Sequence, residues 1–160
     1  DSPCENIFLL IEDIINLKKI VEKAKLKNKG AYVHIDLIEG ISKDIWGLRF
    51  IIKNVNPDGI ITTKSNVVKW AKDLNVFAIQ KLFILDSMSL ETGIRSVLNV
   101  KPDVIEMLPG IMPPVVKIIS SRTKLPIITG GFIREKEDVM DNLIAGAIGV
   151  STSNEDVWYM

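Results

Sequence analysis

Short β-branched runs alternate along the chain with longer segments of helical period, and this alternation constrains the fold more than any other feature. The runs are Ile7–Leu10, Ala31–Asp36, Gly59–Thr62, Val76–Leu82, Asp103–Leu108, Pro126–Gly130 and Ala147–Ser151. Between the first two, Ile14–Lys27 places Ile14, Leu17, Ile20, Val21 and Ala24 on one stripe with lysines opposite. Ile45–Asn54, Asn66–Leu74, Leu90–Val100, Val115–Thr123 and Lys136–Ala145 repeat that logic. Pro57-Asp58-Gly59, Lys101-Pro102-Asp103 and Lys124-Leu125-Pro126 each stop a helix just before a strand. Asp86, Ser87 and Ser89 offer caps for the helix after the fourth strand. Strand ends fall roughly 20 to 26 residues apart, the repeat of an α/β fold of the (β/α)8 TIM-barrel type with short loops. An open doubly wound sheet gives a similar pattern, so closure is left open.

Seven strands are one short of eight. The polar stub Asp1–Asn6 sits where a first strand and helix would have to join the second strand. An open barrel exposes two unpaired edges, so we expect the first strand–helix unit to be absent from this chain rather than from the fold. The 160 residues, 1–160, read as a single domain without linker or low-complexity segment. An apolar fraction of 47% suits a buried sheet. A lone cysteine, Cys4, excludes an internal disulfide framework and fits a reducing cytoplasm. No apolar run of about 18 residues predicts a membrane span. Nor is there a charged-then-apolar leader. Lys+Arg and Asp+Glu balance at 20 each, so a polyanionic partner is legible only in local clusters.

In such barrels the working groups stand at the carboxyl ends of strands and in the loops that follow. Strand alternation through Val33–Gly40 puts His34 and Asp36 on one face, with Val33, Ile35 and Leu37 on the other. His34 below Asp36 reads as an acid/base pair or as a polar core layer. Glu39 closes the same stretch. Lys64 follows Thr62-Thr63, and Gln80-Lys81 precedes Asp86-Ser87. Glu106 alternates with Ile105 and Met107 and faces inward. A buried carboxylate needs a counter-ion, for which Lys64 and Lys81 are the candidates.

The strongest local signal closes the chain. Gly130-Gly131 end one strand, and Ser151-Thr152-Ser153-Asn154 follow the next. Glycines let backbone amides approach an anion with no Cβ in the way. Small hydroxyl residues leading into a terminal segment finish a cradle of the kind phosphate-handling barrels use. The same Gly-Gly pair also serves as an ordinary left-handed turn. No histidine, cysteine and carboxylate spacing suggests a metal site, and neither G-x-S-x-G nor a P-loop occurs. Lysines 18, 19, 23, 25, 27 and 29 read mainly as a solvated helix face. Lys18, Lys19 and Lys23 are the candidates for a nucleic-acid footprint.

Taken in order, His34-Ile35-Asp36-Leu37-Ile38-Glu39-Gly40, Pro57–Asn66, Ala78–Ser87, Lys101-Pro102-Asp103, Ile105–Gly110, Gly130-Gly131-Phe132-Ile133 and Val150–Asn154 form a distinctive series. From about Phe8 to Trp158 the chain resembles the glycerol uptake operon antiterminator family of bacteria. The resemblance implies a cytoplasmic regulator that responds to glycerol 3-phosphate. It acts on the leader mRNA of glycerol-utilisation genes so that transcription reads through a terminator. It implies no cofactor and no catalysis, and a homodimer is compatible with it. Family members carry a further strand–helix unit ahead of this stretch. Lys81 stands where arginine is expected, which keeps the charge and loses the bidentate fork. The competing reading is a phosphate-binding barrel enzyme, an isomerase or a prenyl-glyceryl-phosphate synthase, since the same barrel hosts both. Asp36 and Glu106 would be its titratable pair. The absence of an acidic cluster for Mg²⁺ weighs against the synthase. A protein that binds the metabolite and works only through protein partners is a third reading.

Overall fold

The computed structural model describes residues 2–10 and 13–160, and these group into two compact units, Cys4–Ile79 and, in the main, Gln80–Met160. In the first unit, β1 (Asn6–Leu9), β2 (Gly30–His34) and β3 (Gly59–Thr62) pair in parallel, with Ile7 opposite Ala31 and Val33 opposite Ile60. Helix α1 (Ile14–Leu26) begins where the Asp13 carboxylate accepts the amides of Ile15 and Asn16, and it buries Leu17, Val21 and Ala24. Spacing of four and three residues puts those three side chains on one stripe, and Lys18, Lys19 and Lys23 remain exposed on the rest of the surface. Asp44 caps α2 (Ile45–Phe50), which runs on as a π-helical turn, Ile51–Val55, before Asn56 closes it in the left-handed conformation. Helix α3 (Ser65–Asp73) follows β3 and buries Val67, Val68 and Ala71.

Strand β4 (Ala78–Phe83) leads into the second unit, which continues with α4 (Ser87–Val100), β5 (Val104–Leu108), α5 (Pro113–Thr123), β6 (Ile127–Gly130), α6 (Lys136–Ile144), β7 (Gly149–Ser151) and the short α7 (Glu155–Trp158). Asp86 and Ser89 close a reciprocal cap on α4, the role expected of them. Strands β5, β6 and β7 are parallel, with Glu106 opposite Ile128 and Gly130 opposite Ser151. Ile94, Val97, Ile105, Met107, Val116, Ile119 and Ile127 form the fully buried heart of this unit. Strand order follows chain order from β1 to β7. Strictly alternating strands and helices, parallel pairing and this order make the fold an α/β fold of the TIM-barrel type, with seven strands among the described residues.

One expectation about the backbone is corrected. β2 ends at His34, and Ile35–Leu37 forms a 3₁₀ turn, so Asp36 does not lie on a strand. Its carboxylate instead accepts three bonds from the end of β3, and these draw the chain out of the extended conformation.

Candidate functional site

Each unit gathers its own cluster of polar groups. In the first, Asp36 accepts the Thr62 hydroxyl at 2.8 Å, the Thr63 amide at 2.7 Å and the Thr63 hydroxyl at 2.9 Å. The turn after β2 is thereby bonded to the end of β3. Lys43, which no sequence pattern singles out, reaches back to the carbonyls of Ile35 and Ile38 and holds the other side of that turn. Burial lowers its amine below the usual lysine range, while Asp36 pulls it the other way. The Glu39 carbonyl accepts the Ile14 amide, and its side chain is exposed. Lys64 is the residue before α3, and its carbonyl takes the amides of Val67 and Val68. Its side chain is exposed. His34 is buried.

In the second unit, alternation along β4 separates two residues that the sequence reading had grouped. Gln80 donates its side-chain amide to Ser96 on α4 at 2.8 Å. It packs on the helix side, and its expected place among the ligand contacts is corrected accordingly. Lys81 turns the other way and meets Glu106 on β5 at 3.3 Å, with only 8% and 2% of the two side chains exposed. Of the two candidate counter-ions, Lys81 is therefore the one bonded to Glu106. Burial pushes the Glu106 carboxyl above the usual range, against the pull of Lys81 and the Ser151 hydroxyl.

Both glycines after β6 have local reasons. A Cβ on Gly130 would stand 3.3 Å from the Glu106 carboxylate and 3.2 Å from the Ser151 carbonyl. Gly131 has φ +78°, and a Cβ there would meet Leu108 only at an ordinary van der Waals distance of 3.5 Å, so its requirement is conformational. Its carbonyl accepts the Gly110 amide at 3.0 Å, which ties the β5 and β6 loops together. Asn142, buried on α6 and absent from any sequence motif, donates to the Gly110 carbonyl at 2.6 Å and braces the same junction.

Thr152 donates to the Ile133 carbonyl at 3.2 Å and accepts the Asn154 amide, while Asn154 donates to the Arg134 carbonyl and caps α7. These two side chains bond the β7 loop to the β6 loop. The Asn154 side chain takes the Asp156 amide, and Glu155 and Asp156 stand in the first turn of α7. The two loops bonded to each other and the buried Lys81–Glu106 pair next to Gly130 therefore lie together at the carboxyl ends of the last strands. At the opposite, amino ends of β6 and β7 lies an open groove of about 460 Å³ lined by Lys117, Ser120, Lys124 and Gly146. Among the described residues no group of three or more His, Cys, Asp or Glu is arranged to hold a metal, and no helix is long and apolar enough to cross a membrane.

Fold and cluster together define a (β/α)-barrel protein whose polar groups collect where its last strands end. Comparison with known proteins narrows this class to a family. The family described as glycerol-3-phosphate responsive antiterminator matches residues 1–158, and the chain belongs to it. The chain is 37% identical over 158 residues to the uncharacterised protein YgcP of Escherichia coli K12, covering 99% of this chain and 83% of that one. It is also similar to the crystal structure of a glycerol uptake operon antiterminator regulatory protein from Listeria monocytogenes, with 34% identity and a TM-score of 0.95 over 99% of this chain and 86% of that one. A related antiterminator-like structure from Thermotoga maritima gives 32% identity and a TM-score of 0.88 over 98% and 88%.

Proposed function

We propose that the chain senses glycerol 3-phosphate through the β6 and β7 loops and, in response, acts on leader mRNA without catalysing a reaction. The phosphate is held by the Gly130-Gly131 backbone and by Ser151, Thr152, Ser153 and Asn154. Lys81 and Glu106 meet the glycerol hydroxyls. The observation that carries this reading is the pair of mutually bonded loops after β6 and β7, set beside the buried Lys81–Glu106 pair at Gly130. Loop backbone at adjacent strand ends, with glycines that bring no Cβ, suits a phosphate better than a neutral polyol. Membership of a glycerol-3-phosphate responsive family supplies the identity of the phosphate ester.

Thermal unfolding with glycerol 3-phosphate, glycerol and inorganic phosphate tests the ligand. The phosphate ester raises the melting temperature strongly, equivalent to roughly 2.7 kcal/mol at 100 times its dissociation constant, and glycerol barely does. Equal shifts from glycerol and its phosphate would overturn the assignment. The buried Glu106, with its raised pKa, also favours one second reading, an isomerase that uses this carboxyl as general acid or base. Incubation with triose and prenyl phosphates, followed by NMR, separates the two. Turnover that disappears in Glu106→Gln would favour the enzyme.

A further inference from the structure

Helix α2 and the π-helical turn that continues it show one face to the core and the other to solvent. Gly47, Leu48, Ile51 and Val55 are buried. Trp46, Arg49, Phe50 and Lys53, spaced by three, one and three residues, fall on one stripe of the opposite face. All four are exposed, the indole to 69% and the Phe50 ring to 48%. The Arg49 guanidinium lies over the Trp46 ring, 5.0 Å from its centroid, and holds the indole in a set orientation on the surface. No Asp or Glu occurs from Ile45 to Pro57. Of the two acids that bracket this stretch, Asp44 is engaged in the helix cap, where it accepts the Trp46 and Gly47 amides and the Ser42 hydroxyl. Asp58 pairs with Lys25 at 3.4 Å and accepts the Ala31 amide. The same sign extends to the neighbours, since α2 contacts α3 and the π-helical turn contacts α1. Together α1, α2 with its π-helical turn and α3 carry eight Lys and Arg against two Asp and Glu. One of those two acids, Glu22, is itself 3.8 Å from Lys18. Helices α4 to α7 carry four against six. A chain of zero net charge thus concentrates its cations on the helices of its first unit.

Two rings and two cations interleaved on a solvated helix face match what single-stranded RNA asks of a surface. Bases stack on the rings, and phosphates pair with the guanidinium and ammonium groups. The basic surroundings attract the polyanion and displace its counterions. A second copy of this chain brings the same cations, so joining the stripe to itself sets like charges against one another. An uncharged apolar partner leaves Arg49 and Lys53 without an answering charge. We infer that Trp46, Arg49, Phe50 and Lys53 form the face that binds a single-stranded segment of leader mRNA, with unpaired bases on the two rings and neighbouring phosphates on the two cations. This rests on the reading of the chain as a regulator that acts on leader mRNA. It gives that reading a surface built from residues that the proposed phosphate site does not use.

The test measures binding of a fluorescently labelled glycerol-operon leader transcript over a range of salt concentrations, with saturating glycerol 3-phosphate and without it. Trp46→Ala should lose about tenfold or more in affinity, and Trp46→Phe should keep most of it. Both should melt near the wild-type temperature, because the indole is exposed. Arg49→Gln combined with Lys53→Gln should make the slope of log affinity against log salt shallower by about 1.4, two phosphate contacts at about 0.7 each. Lys117→Gln combined with Lys124→Gln removes the same charge from the groove at the amino ends of β6 and β7 and should leave the slope as in wild type. Wild-type affinity in Trp46→Ala overturns the proposal. So does an unchanged slope in the Arg49 and Lys53 variant, or an equal flattening in the Lys117 and Lys124 variant. A loss of affinity that comes only with a changed oligomeric state on size exclusion also overturns it and assigns the stripe to contact between copies. If wild type itself binds no leader RNA under either condition, the regulator reading fails and this face falls with it. RNA binding by wild type and the stripe variants alike overturns this face alone.

Discussion

Replacing Lys81 by methionine leaves the Glu106 carboxylate buried without its counter-ion. At 3.3 Å and an effective dielectric of about 20, the attraction removed is about 5 kcal/mol. Measured losses on breaking buried pairs run to roughly 3–5 kcal/mol. Set against a typical total stability of about 5–15 kcal/mol, that is a large fraction. Protonation limits the damage. Burial already raises the Glu106 pKa in the folded protein, and removing Lys81 removes the main opposing influence. A carboxyl with a raised folded pKa favours the folded state below its unfolded value, and that contribution is lost as pH rises through the folded value. Lys81→Met should therefore be only mildly destabilised at pH 5 and lose about 3 kcal/mol or more at pH 8. Urea unfolding followed by far-ultraviolet circular dichroism at both pH values measures this. Adding Glu106→Gln to Lys81→Met should restore at least half of the pH 8 loss, because the buried charge is gone. A single-variant loss below about 1 kcal/mol at pH 8, or an equal loss at both pH values, would refute the buried-pair argument.

Three further outcomes follow from the same geometry. Gly131→Asp should cost about 1–2 kcal/mol through its left-handed backbone and abolish the melting shift given by glycerol 3-phosphate, since a carboxylate would face the anion; differential scanning fluorimetry reads both effects. Asp36→Ala should lower stability by about 1.5–3 kcal/mol in urea unfolding, because the Thr62 and Thr63 donors lose a charged acceptor. If Lys18, Lys19 and Lys23 contact RNA, neutralising all three should flatten the salt dependence of leader binding, and an unchanged slope would assign them to solvent.

Much of the architecture was legible in the residues because the central strands carry buried apolar runs and most helices end close to a Pro, Gly or Asn. Gly59–Thr62 matches its expected bounds, and the ends of other elements shift by three residues at most, counting the π-helical turn to Val55 with α2. Asp36 was misplaced because strand alternation was carried one turn too far; the Thr62-Thr63 donors that bend the chain there come from 26 and 27 positions later. Gln80 and Lys81 were grouped as neighbours in sequence, yet adjacent strand residues face opposite layers, a rule that could have separated them beforehand. The Lys81–Glu106 pair was half legible, since an inward carboxylate demands a cation but does not say which. Thr152 and Asn154 read as ligand donors, whereas their polar atoms also bond one loop to the other. Lys43 and Asn142 left no trace in spacing, because their partners are backbone carbonyls that only the folded chain brings near.

The central claim is that a phosphate ester held by this chain governs transcription through a leader terminator. Single-round transcription of a glycerol-operon leader, with purified polymerase and this protein, tests it directly when read with glycerol 3-phosphate, with glycerol and with neither. The account predicts read-through that rises with glycerol 3-phosphate only, and that Gly131→Asp abolishes. Read-through unaffected by the protein, or raised equally by glycerol, would contradict it.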